Sequence, residues 1–110
     1  MRQAYAHDAV LEMGSEADTG APGAAITTAL CGHWEHEPPC PLAPHHTGAT
    51  RDGDRVRLRV LFVTEPDHVE EVRQRIDAAL AGGGWRLAES GCARVTADER
   101  DHARRLFKTR

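Results

Sequence analysis

The 110-residue chain contains no hydrophobic run near the roughly 20 apolar residues that a membrane-spanning helix needs. Its first eight residues, Met1-Arg2-Gln3-Ala4-Tyr5-Ala6-His7-Asp8, also lack the apolar core of a secretory signal. The expectation is a cytoplasmic protein with no membrane contact. The chain lacks a large charge of either sign: 14 Lys and Arg stand against 17 Asp and Glu, a net charge of −3. Nothing in that balance calls for an anionic membrane or nucleic acid. Arg100, Arg104 and Arg105 near the C-terminus are diluted by Asp98, Glu99 and Asp101, so no nucleic-acid surface is expected there. Basic residues are nearly absent from the first half. Residues 1–50 carry Arg2 alone against six acids, whereas residues 51–110 carry thirteen basic and eleven acidic side chains. The acidic half favours a cation. No internal repeat is visible. Gly82-Gly83-Gly84 follows a helical pattern instead of opening one, which excludes a phosphate loop.

Only three cysteines are present. In a reducing cytosol, a pair of thiols favours metal or redox work over a structural disulfide. Two of the three, with four of the seven histidines, fall in one stretch: Cys31-Gly-His33-Trp34-Glu35-His36-Glu37-Pro38-Pro39-Cys40-Pro41-Leu-Ala-Pro44-His45-His46. Thiolate and imidazole are the ligands of zinc and copper. The four prolines stiffen the stretch, which lowers the entropy lost when ligands are gathered.

Around that stretch the pattern of apolar residues defines a small α+β domain over residues 1–110. Residues 9–13 read as a strand. Residues 24–33 also read as a strand, because Ile26, Thr27 and Thr28 are β-branched, although the alanines leave a helix open. On such a strand Cys31 and His33 would share a face. Residues 37–53 read as a long loop. Residues 55–64 form the clearest strand, with Val56, Leu58, Val60 and Phe62 on a buried face. Its other face starts at Arg57 and Arg59 and ends at Leu61 and Val63, so it is wet first and covered later. A helix over 67–81 follows, opened by Asp67 and Glu70 as a capping box and carrying Val69, Val72, Ile76 and Leu80 as its apolar stripe. Glu71 and Arg75 are spaced to pair along it. Gly82 is expected in the left-handed position that ends the helix. A strand from Trp85 and a last helix opened by Thr96 and Glu99 complete the chain, with Ala103, Leu106 and Phe107 as that helix's apolar stripe. The expected fold is a mixed sheet of about four strands with two helices on one face and a Cys/His/Pro-rich loop at 31–53. The strand–helix–strand half resembles ferredoxin-like α+β domains in shape, a likeness that implies nothing about function.

The candidate ligands are Cys31, His33, His36, Cys40, His45 and His46. A structural zinc needs four of them in a tetrahedron. The preferred set is Cys31, His33 and Cys40 with one of His36, His45 or His46. Copper(I) is the alternative, since two thiolates and an imidazole suit it. The spacing matches no zinc finger or ribbon. Two rival readings use the same residues. One is a metal-free protein-interaction module, with the sheet edges open to homodimerisation. The other is a thiol- or metal-dependent enzyme, in which Cys31 or Cys40 pairs with His33 or His36 and is oriented by Glu35 or Glu37. His68 and His102 are expected at the surface and Cys92 in the interior.

Overall fold

Alternation of Val56, Leu58, Val60 and Phe62 with arginine and then with Leu61 and Val63 sets the centre of the molecule. In the computed structural model, which describes residues 2–14, 16–31 and 45–107, those first four side chains are buried on one face of strand β3 (Arg55–Thr64). The opposite face is exposed at Arg55 and Arg57 and buried at Leu61 and Val63, as the sequence predicts. The remaining elements are β1 (Gln3–Glu12), α1 (Ala21–Cys31), β2 (His45–Asp52), α2 (Val69–Ala81), β4 (Arg86–Ala93) and α3 (Arg100–Phe107). A 3₁₀ turn at Pro66–His68 leads into α2.

The four strands form one sheet in the order β2-β3-β1-β4, and each pairing is antiparallel. Strands β3 and β4 run in the same direction, as the crossover through α2 requires, but β1 lies between them. The sheet is therefore antiparallel and not mixed, and the order of elements is the split βαβ arrangement of ferredoxin-like domains. Helices α1 and α2 supply Ile26, Leu30, Val72, Ile76 and Leu80 to a core with Ala9, Leu11, Val56, Leu58, Val60 and Phe62. Each large aliphatic side chain in it contributes about 1.5–3 kcal/mol.

Two elements depart from the sequence reading. Residues 21–31 are helix, not strand. Ala21, Ala24, Ala25 and Ala29 favour helix, and the hydroxyls of Thr27 and Thr28 donate to the carbonyls of Gly23 and Ala24 one turn back, both at 3.1 Å. Ile26 and Leu30, one turn apart, are buried against the core. Cys31 is thus the last residue of a helix, and the expected shared strand face with His33 falls on a residue outside the described ones. Residues 45–52, read as loop, form the edge strand β2. It pairs with β3 from His45 opposite Phe62 to Asp52 opposite Arg55. The two strands are joined by Gly53-Asp54, and Gly53 has φ 64°. Glycine at the first central position is the requirement of a type II′ hairpin turn.

Smaller differences concern caps. Asp67 and Glu70 do not form a capping box, since neither the 3₁₀ turn nor α2 has a side-chain cap bond. Gly82 closes α2 at φ −89°, not in the left-handed region. The Trp85 indole instead donates to the Leu80 carbonyl at 2.6 Å and satisfies that helix end. The box at the start of α3 forms as expected. Thr96 N–H donates to Glu99 Oε1 at 2.9 Å, and Glu99 N–H donates to Thr96 Oγ1 at 3.3 Å. The Glu71–Arg75 pair on α2 also forms, at 3.2 Å.

Candidate metal-ligand site

Alternation along β2 decides where its two histidines point. His45 lies opposite Phe62 and His46 opposite Leu61, so the rings project from opposite faces of the sheet. A single ion can draw on one of them, not both. His45 faces α1, where its Nε2 lies 3.1 Å from Thr27 Oγ1. The single Thr27 hydroxyl proton goes to the Gly23 carbonyl, so the oxygen accepts from His45 Nε2–H. Thr27 stands one turn before Cys31, the last residue of α1. The fold thus anchors the strand that follows the Cys/His stretch to the helix that precedes it. His33, His36 and Cys40, with the side chain of Cys31, lie outside the described residues.

His46 faces the second side of the sheet, over which α3 lies. Its ring is 4.4 Å, centroid to centroid, from that of His102, with the planes tilted by 52°. The two imidazoles lie in a cleft of about 300 Å³ whose walls include Arg59, Leu61, Asp98 and Glu99. Partial burial and the neighbouring His46 hold the His102 imidazole below its ordinary pKa, with Arg105 adding and Glu99 opposing. Both effects favour the neutral ring, the form that ligates metal. Among the described residues no group of three or more His, Cys, Asp or Glu side chains forms a cation cage.

One arginine holds this arrangement together. Arg59, on the second face of β3, donates to Glu99 Oε2 and Oε1 at 2.7 Å each, to Asp8 Oδ1 at 2.8 Å and to the Arg94 carbonyl. The Arg59 guanidinium holds the Glu99 carboxyl down at about 2. Bidentate pairing of this kind fixes direction as well as distance. It places the start of α3, and hence His102, against the sheet. A second, wider cleft of about 410 Å³ adjoins on the same face, lined by Asp8, Val10, Gly48, Thr50, Arg57 and Arg59.

Two polar features lie away from the metal candidates. His7 is 2% exposed on the core face of β1. Arg73 of α2 donates to its Nδ1 at 2.9 Å and to the Ala6 carbonyl at 3.1 Å. Arginine can only donate, so the proton sits on Nε2 and is given to Asp77 Oδ1 at 3.0 Å. The Arg73 guanidinium also stands over the Phe62 ring, 5.5 Å from its centroid. Cys92, expected inside, is exposed. It is the register partner of His7, but both imidazole nitrogens are engaged, so His7 cannot serve as its base.

The sequence reading missed His102 and Asp98. Their i,i+4 spacing was visible, but nothing in the sequence tied them to His46. Comparison with known proteins returned no matching family, no matching curated protein and no matching solved structure. What stands is an α+β protein in which, among the described residues, no helix is long and apolar enough to cross a membrane.

Proposed function

We propose that the chain is a small metal-binding protein, with zinc as the favoured ion and copper(I) as the alternative that two thiolates would suit. Segment 31–46 would supply the ligands from Cys31, His33, His36, Cys40 and one of His45 or His46. One observation carries the reading: Thr27 on the last turns of α1 is hydrogen-bonded to His45 at the start of β2. The elements that flank the ligand-rich stretch are thereby tied together, and holding the ends of a segment close beforehand lowers the entropy cost of gathering its side chains. The acidic balance of the first half adds attraction for a cation. A cytoplasmic setting, where thiols stay reduced, belongs to the same proposal. Homodimerisation through β2 and β4 is compatible with it, since these are the outer strands of the sheet formed by the described residues.

The test is metal content. The untagged protein is purified from defined medium and metal per chain is measured by elemental analysis, beside a Cys31→Ala, Cys40→Ala double variant. The proposal expects close to one zinc per chain, lost in the variant. A trace content equal in both proteins sinks it.

A further inference from the structure

We propose that His46 and His102 together form a two-imidazole site for a borderline divalent cation, zinc or copper(II), that bridges the edge strand β2 to the C-terminal helix α3. The inference rests on the reading of this chain as a metal binder, but not on its cysteines. The two rings come from distant parts of the sequence and meet at 4.4 Å. Tetrahedral coordination with metal–nitrogen bonds of about 2.0–2.1 Å sets the two nitrogens about 3.4 Å apart. Rotation about the terminal torsions, which are broad wells, turns a nitrogen of each ring towards a shared ion, and the rings must also spread slightly from this separation to seat it.

The surroundings fit a cation better than they fit a plain ring contact. Asp98 lines the same cleft, one helical turn before His102, and supplies negative charge without being held in an ion pair among the described residues. Glu99 is held as carboxylate by Arg59, which also fixes the register of α3 on the sheet. Preorganisation by a partner outside the ligand set is what metal sites use to orient their ligands. Two imidazoles leave coordination positions open, so the bound ion would carry water or an external ligand.

The test uses the full-length untagged protein, the metal salts themselves and three single variants. Zinc and copper(II) binding is followed by calorimetry, and the copper(II) form by electron paramagnetic resonance. Wild type should take up an ion with two equatorial nitrogens in the copper spectrum. His46→Ala and His102→Ala should each weaken that binding at least tenfold and remove one nitrogen. His68→Ala, changed in an exposed residue of the 3₁₀ turn, should bind as wild type does. Should His102→Ala lose stability, His102→Gln keeps a polar group of similar reach and gives the same readout. The proposal is overturned if both ring variants bind as wild type. The Cys31→Ala, Cys40→Ala variant separates the two readings. Uptake that survives there and vanishes in His102→Ala supports this site and removes the thiol ligands. The reverse pattern keeps the loop as the metal site and overturns the inference.

Discussion

At the scale of single residues, three side chains fix more than they touch. Arg59 joins β1, β3 and the start of α3 through Asp8, Glu99 and the Arg94 carbonyl. Arg59→Ala should cost about 1 kcal/mol, because the pairs are partly exposed and screened, and hydrogen bonds to charge contribute modestly there. Urea denaturation at low salt measures it. The acid response follows from the depressed carboxyl of Glu99. Its ordinary value is 4.5 and its folded value about 2. The folded state thus binds fewer protons in that window. The contribution is fully present above about pH 4.5 and is lost as pH falls towards about 2. In Glu99→Gln the unfolding midpoint should vary less with pH across this window than in wild type; parallel curves would contradict the assignment. His7 presents the buried counterpart. His7→Ala removes the acceptor of Arg73 and the donor to Asp77, leaving the Arg73 guanidinium under-satisfied in the core. The expected loss is about 2–3 kcal/mol by chemical denaturation, against well under 1 kcal/mol for exposed His68→Ala.

At the scale of elements, α2 and its exit show how sequence and packing divide the work. Gly83 stands where a Cβ would overlap the Trp85 ring. Gly83→Ala should push the indole off the Leu80 carbonyl, shift tryptophan emission to the red and destabilise by about 1–3 kcal/mol. An unchanged spectrum and midpoint would show that the ring has another seat. Much of this layer was legible. The alternation of β3, wet at Arg57 and covered at Leu61, and the stripe of Val72, Ile76 and Leu80 are written in the period of the apolar residues, because burial on one face imposes that period. The Thr96–Glu99 box is equally local, since its bonds close within three residues. Helix α1 was harder. Ile26, Thr27 and Thr28 carry β propensity, but the helix is settled by packing of Ile26 and Leu30, which a local pattern does not contain. Strand β2 was hidden because His45-His46-Thr47-Gly48-Ala49-Thr50-Arg51-Asp52 has no apolar alternation. Its pairing comes from β3 and from the Gly53-Asp54 turn, whose glycine was the one local signal. The candidate site divides the same way. His45 and His46 were visible by residue type, but their divergence follows from strand geometry, and His102 reaches His46 through the tertiary docking of α3.

At the scale of the whole molecule, the sheet has one face sealed by two helices and another only partly covered. Leu61, Val63 and Ala6 are buried at the end of the second face where α3 lies, while Arg55, Arg57 and Thr50 remain exposed at the other. A metal ion near His46 would add its binding energy to the placement of β2 and to the docking of α3. Ions that bind the native state and not the unfolded chain raise stability with the logarithm of their concentration over the dissociation constant. On the proposed reading, metal binding and folding would therefore be coupled. The most direct measurement is the thermal unfolding midpoint of the untagged protein before chelation, after exhaustive chelation, and after return of one equivalent of zinc. The account predicts a midpoint that falls by several degrees on chelation and recovers with zinc. Three superimposable curves would contradict it.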